Sequence, residues 1–253
     1  MAEYKAIRGH TIRTIAGDAS PLVTGDIWYN NVARKIRGAK IGAGVWASSN
    51  ALNTSRQYPH GAGSQTAALA STGADGATYL AATEEYNGSS WTNSNDINTA
   101  RYASSSSGTQ TAAILAGGAG AGTPTYDDEV ETYDGSTWTE VGDINTARRN
   151  LCLSGTTTAA LCFTGQTPTG DPGAVDNVES WDGSSWTETT DTNTARIAGA
   201  GGGTQTAALV TGGGPPFIAS NEQWDGSSWT EVADLNTARG SQRFSGTSTE
   251  AIN

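Results

Sequence analysis

Apolar residues in this chain come in short runs broken by glycine, serine, threonine and asparagine, and no window carries the three-to-four-residue spacing of an amphipathic helix. The runs recur. Trp46, Trp91, Trp138, Trp186 and Trp229 lie 45, 47, 48 and 43 residues apart, and each is followed by Asn-Thr-(Ala/Ser)-Arg, ending at Arg56, Arg101, Arg148, Arg196 and Arg239. Between these markers every full unit carries Gly-(Ser/Thr)-(Gln/Thr)-Thr-Ala-Ala, a small apolar run, Gly-rich sequence, and Glu-x-(Tyr/Trp)-(Asp/Asn)-Gly-Ser-(Ser/Thr)-Trp-Thr. Asn87-Gly88, Asp134-Gly135, Asp182-Gly183 and Asp225-Gly226 are hairpin signals, each between an aromatic residue and a Trp. In the third unit the pattern predicts strands at 149–154, 158–164, 178–181 and 186–190. Four short strands in a repeat of this length specify a propeller blade, because helical solenoids need longer amphipathic stretches.

The Gly117-Gly118 and Gly212-Gly213 pairs, the aromatic of the third strand, the Trp opening the fourth and the Arg leading into the next unit resemble the kelch family over roughly residues 45–253. In two units the glycine pair is weakened, to Thr72-Gly73 and Gly165-Gln166. The resemblance implies an all-β, kelch-like β-propeller and carries little about function, since this architecture hosts unrelated activities. Four complete units run from about Gln57 to Arg239, and residues 240–253 copy the first two strands of a fifth. The expectation is five blades, the last closed by both chain termini, with Trp46–Arg56 as its fourth strand and Asp26–Asn30 as a third; closure through another subunit is the alternative. Residues 1–44 then form an N-terminal attachment segment with a short β-hairpin, and 45–253 the propeller.

Charge divides the chain in the same way. Residues 1–56 hold eight Lys or Arg against three acidic residues, a net of +5, which leaves −16 for the remainder of a total of −11. This split fits either a basic attachment segment with an acidic head or a short basic strand pair lying against the acidic ring, and a head of that sign lacks the clustered cations that phosphate binding requires. No nucleic-acid partner is expected. Neither a membrane-spanning stretch nor the apolar core of a signal peptide is visible, so no membrane insertion is expected.

Catalytic chemistry has little to work with. His10 and His60 are the only histidines and lie outside the pattern shared by the repeats, so neither a His-based triad nor a multi-His metal site assembles. No cofactor is expected, and the chain reads as non-enzymatic. Cys152 and Cys162 fall on adjacent strands of one hairpin; buried free thiols are the favoured reading over a cross-strand bridge.

Two polar positions recur in each unit, the crossing Arg (Arg56, Arg101, Arg148, Arg196, Arg239) and Glu84, Glu131, Glu179 and Glu222. One reading makes the arginines an anion-binding ring around the channel; the favoured one pairs each with a Glu and crossing-loop carbonyls to fix neighbouring blades. Recognition is expected instead where the repeats differ, in the connections from second to third strand. These carry Tyr79, Tyr126, Asp127, Asp171 and Phe217, a mixture suited to stacking on sugar rings and bonding their hydroxyls, with ordinary solvated loops as the alternative. Asp127, Asp128 and Glu129 beside Asp171 and Asp176 keep open a two-carboxylate, glycan-cleaving enzyme.

Residues Gly25–Gly38 resemble a short hairpin at the head of bacteriophage fibre and other virion structural proteins. The Asn-(Leu/Ile)-Asn-Thr-Ala-Arg and Gly-Thr-Gln-Thr-Ala-Ala wording is similar to that of marine phage structural proteins. The resemblance implies a virion component, a tail or head fibre or decoration at the particle surface and a homo-oligomer there. It would dock on other virion proteins through its basic segment and present a propeller face for host recognition by carbohydrate binding. A purely architectural capsid or tail adaptor is the alternative.

Overall fold

A computed structural model of the chain describes residues 13–15, 27–30, 32, 34–38, 49–120, 126–169, 173–241, 245–246 and 251–252. It divides into two compact units, Met1–Ser48 and Ser49–Asn253. In the first, β1 (Arg13–Ile15) runs parallel to β2 (Ile27–Asn30), which pairs antiparallel with β3 (Lys35–Gly38). The expected use of 26–30 as a blade strand is therefore corrected: β2 already has a partner on each edge.

The second unit is an all-β propeller, with no helix among the described residues. Its first blade is β4 (His60–Ser64), β5 (Ala67–Ser71), β6 (Glu84–Tyr86) and β7 (Trp91–Asn93). The second begins with a short β8 (Arg101–Tyr102) and continues as β9 (Ser105–Thr109), β10 (Ala112–Gly120), β11 (Tyr126–Tyr133) and β12 (Trp138–Val141). The third is β13 (Cys152–Thr156), β14 (Ala159–Gln166), β15 (Ala174–Trp181) and β16 (Trp186–Glu188); the fourth is β17 (Ala200–Thr204), β18 (Ala207–Thr211), β19 (Asn221–Trp224) and β20 (Trp229–Val232). All four are antiparallel meanders. Beyond them, β21 (Ser245–Gly246) pairs with β22 (Ala251–Ile252). Thus four complete blades are present among the described residues where five were expected, and the fifth repeat contributes only this two-stranded start.

The second and third blades bury both sheet faces, which is why their second strands are continuous apolar runs rather than alternating ones. In β10, Ala113 and Leu115 join Leu69, Ile97, Tyr133 and Trp138 in one cluster, whereas Ile114 and Ala116 join Leu151, Leu153, Trp181 and Trp186 in another. A third cluster packs Cys152, Leu161 and Phe163 with Val210, Trp224 and Trp229. The core is thus a series of blade interfaces. In every blade the two aromatics flanking the Asp-Gly or Asn-Gly turn meet across the hairpin, with ring centroids 5.1, 5.0, 5.3 and 5.4 Å apart. Such a pair contributes about 0.5–1.5 kcal/mol beyond its buried area.

The turn itself is held by its first side chain. Asp134 Oδ1 accepts from the Ser136 and Thr137 N–H groups at 2.8 Å, and Asp182 and Asp225 do the same. These backbone donors hold all three carboxyls at about 2.

The end of the second strand also differs from the sequence expectation. Thr72-Gly73, Gly117-Gly118, Thr164-Gly165 and Gly212-Gly213 occupy one position, all with positive φ, so the third pair is Thr164-Gly165 and not Gly165-Gln166. At the second member φ runs from 105° to 120°, and a Cβ on Gly165 would lie 3.0 Å from the Arg149 carbonyl. That residue must be glycine. Its N–H donates to the carbonyl of the next crossing arginine, at 2.9–3.0 Å in all four blades, tying each blade to the chain that leaves it.

Candidate functional site

An antiparallel meander sends the first-to-second and third-to-fourth turns to one end of the blade and the other connections, including the Arg crossings, to the opposite end. The crossing is built around glutamate. Glu179, on β15, accepts from Arg148 Nη2 at 2.5 Å, from Asn145 N and Nδ2 at 2.6 and 2.8 Å, and from Thr146 N at 3.3 Å. Arg148 Nη1 reaches the carbonyls of Thr164 and Asn177. Arg56 meets Glu84 at 2.7 Å, and Arg101 and Arg196 are bonded to Glu131 and Glu222 in the same way. The four arginine side chains are fully enclosed, so none is presented to a ligand in the channel. Arg239 is exposed and bonds to the Thr237 carbonyl at 3.3 Å. Burial works to raise the Glu84 carboxyl, but the Asn53 and Thr54 N–H groups and Arg56 outweigh it and hold it below the usual range.

The residues just after each arginine form the mouth of the axial channel. Tyr58, Ala103, Asn150, Ala198 and Ser241 are equivalent and all have φ between 52° and 56°. Asn150 N donates to Ala103 O, Ala198 N to Asn150 O and Ser241 N to Ala198 O, at 2.7, 3.2 and 2.8 Å, a backbone belt from blade to blade. Below it lies a cavity of about 120 Å³ lined by the innermost strands, among them His60, Ser105, Cys152 and Ala200.

Between belt and outer loops lies one variable position, immediately after the arginine: Gln57, Tyr102, Arg149, Ile197 and Gly240. In three crossings it seats an aromatic from the preceding blade's loop. Tyr79 stacks on Tyr102 at 4.7 Å and 19°, Tyr126 lies under Arg149 at 4.6 Å, and Phe217 packs so close to Gly240 that a Cβ there would come 2.8 Å from its ring. Arg149 Nη1 also donates to the Tyr102 hydroxyl at 2.8 Å, and Tyr58 meets Tyr102 at 6.2 Å. Tyr58, Tyr79, Tyr102, Arg149 and Tyr126 therefore make one aromatic ledge across three blades. Tyr58 is its exposed end, at 56% exposure, and Phe217, apart from it on the fourth blade, is 63% exposed.

Of the expected ligand residues, Tyr79 and Tyr126 enter this ledge, whereas Phe217 stands apart on the fourth blade. Asp127 alternates to the other face of β11, toward Arg101 and away from Tyr126; burial raises its carboxyl despite the Arg101 charge, and its Oδ2 has no hydrogen-bond partner among the described residues. Asp171 lies outside the described residues. Tyr58, Tyr102 and Arg149 were absent from the expected set, although Tyr102 and Arg149 stand directly after the repeated arginine, where the repeat abruptly stops repeating, and Tyr58 stands one residue further on. Cys152 and Cys162 are buried and not bridged to each other, and their register puts them on opposite faces: Cys152 pairs with Phe163 and Cys162 with Leu153. Among the described residues no three metal-ligating side chains gather.

No protein-family model and no curated protein matches the sequence. Among solved structures the chain is similar in fold to YjhT, with a TM-score of 0.63 and 11% identity over 76% of this chain and 69% of that one. At that identity the likeness speaks for the propeller fold alone.

Proposed function

We propose that this protein is a non-enzymatic, kelch-like virion structural protein of a phage, a tail or head fibre or decoration whose loop face contacts host-surface glycan. The observation that carries the binding role is the ledge of Tyr58, Tyr79, Tyr102, Arg149 and Tyr126, a non-repeating cluster on a repeating scaffold. Tyrosines fixed against one another lose little conformational freedom when a sugar ring stacks on them. Support for the virion role comes from the sequence resemblance of Gly25–Gly38 and of the repeat wording. The basic N-terminal segment is the proposed dock on other virion proteins. Individual sites of this kind are weak and gain avidity from many copies in a homo-oligomeric particle.

The ring in this reading has five blades and is closed by the two chain termini. Supporting it, Ser49, Asn50 and Asn53 bond to Tyr86, Ser89 and Glu84 of the first blade as Ser94, Asn95 and Asn98 bond to Tyr133, Ser136 and Glu131 of the second. Residues 49–56 thus follow the path of a chain leaving a fourth strand.

The test is binding of the full chain, displayed multivalently, to a glycan panel and to host cells, beside a variant with Tyr58, Tyr79, Tyr126 and Phe217 changed to Ala that keeps the far-ultraviolet spectrum and a cooperative thermal transition. Binding lost in the variant supports the reading. Failure of the wild-type protein to bind any glycan or cell, with its assembly contact intact, moves the assignment to an architectural adaptor; release of sugar moves it to a glycan-cleaving enzyme.

A further inference from the structure

Between residues 49 and 241 the chain has six cations, all arginine, and five of them hold the repeated crossing position. Arg149 is the sixth. It sits in a part of the sequence whose net charge is strongly negative, yet no carboxylate lies within ion-pair distance of it among the described residues, whereas Arg56, Arg101, Arg148 and Arg196 all have one. Its orientation is fixed by neutral groups instead. Nε donates to Gln166 Oε1 at 3.1 Å, Nη1 donates to the Tyr102 hydroxyl at 2.8 Å, and the guanidinium plane covers Tyr126. Nη2 engages no group among the described residues, and the side chain is half-buried on the loop face. Asp127, on the neighbouring strand, faces Arg101, and Glu129 bonds to it at 3.4 Å.

From this arrangement we infer that Arg149 is an oxyanion seat, and that the saccharide bound by the loop face carries an anionic substituent, a carboxylate or a sulfate ester, placed on the open edge of its guanidinium. The inference rests on the glycan-binding reading above and narrows it to acidic sugars. A planar fork held by two hydrogen bonds and an aromatic face is ordered before the ligand arrives, so less freedom is lost on binding. Among the described residues no acid satisfies its charge, and an incoming oxyanion supplies charge-assisted bonds that a hydroxyl cannot match. The adjoining tyrosines bind the ring that bears the anion.

The experiment uses matched ligands on the full chain: an oligouronate against its carboxyl-reduced form, and a sulfated oligosaccharide against its desulfated form, titrated into wild type, Arg149→Gln and Arg149→Lys. The expected result is a preference of at least about tenfold for one anionic form over its neutral match, equivalent to about 1.4 kcal/mol. In Arg149→Gln that ratio falls to near one, and in Arg149→Lys, which keeps the charge but loses the fork, it lies between. Whichever pair shows the preference identifies carboxylate or sulfate. Equal binding of charged and neutral forms by wild type overturns the seat and leaves the glycan reading standing. A preference that survives in Arg149→Gln also overturns it. Absence of binding by every ligand removes the glycan reading and the seat together.

Discussion

Arg148 and Glu179 meet at 2.5 Å where the chain leaving the second blade docks on the third, and neither side chain reaches solvent. The same carboxylate accepts the backbone N–H groups of Asn145 and Thr146, so one glutamate fastens a whole crossing. Replacing Arg148 with Met leaves a buried carboxylate without its counter-charge and is expected to cost about 3–5 kcal/mol. Denaturant unfolding of Arg148→Met, Glu179→Gln and the double variant measures this, and the double variant is expected to lose less than the sum of the two singles.

Acid should weaken the protein partly through its turns. The carboxyls of Asp134, Asp182 and Asp225 titrate at about 2 in the folded chain, below their ordinary 3.8, so their contribution is present above about pH 4 and is lost as pH falls toward 2. Asn87 builds the same turn without charge, with Oδ1 accepting from Ser89 and Ser90 N–H at 3.0 and 2.9 Å. A variant with all three aspartates changed to Asn therefore isolates the charge. Its melting temperature is expected to fall below wild type at pH 7, with the gap closing by pH 2.

The two positions of the strand-end pair respond differently to substitution. Gly165→Ala combines φ of 119° with a Cβ at 3.0 Å from Arg149 O and 3.2 Å from Leu151 Cβ, and is expected to cost at least about 1–3 kcal/mol. Thr164→Gly relieves a β-branched residue at φ of 58° and is expected to cost less. Thermal unfolding of both variants checks the order.

Both thiols should be silent in the folded protein. Burial pushes Cys162 up to about 12, and Cys152 is equally enclosed. A thiol reagent at pH 8 is expected to label neither under native conditions and both after denaturation; an intact mass two units low would instead report a bridge.

Much of the blade was legible in the sequence because its markers are local. Asp-Gly before Trp, and Asn-Thr-Ala-Arg before an apolar run, state turn and crossing directly. The third blade still departed from expectation at both ends. β13 starts at Cys152, since Arg149 pairs with Gln166 and Asn150 takes positive φ for the belt, and β15 starts at Ala174, running beyond the apolar residues that announced it. The register of Thr164-Gly165 was missed because threonine is the less expected occupant of a left-handed position. The ledge was half visible: Tyr79 and Tyr126 stood out as loop aromatics, but their seats, Tyr102 and Arg149, come from the next blade, and only folding brings the pairs together. That alternation would send Asp127 away from Tyr126 was readable from the period of a strand, had β11 been known to begin at Tyr126.

The decisive measurement is a crystal structure of the full chain with the tightest-binding saccharide of the glycan panel. The sugar is expected on the loop face, stacked on the Tyr58, Tyr79 and Tyr102 group and within hydrogen-bond distance of Arg149. A saccharide bound at the Asp-Gly-Ser turns of the opposite face, or along the outer strands, would contradict it.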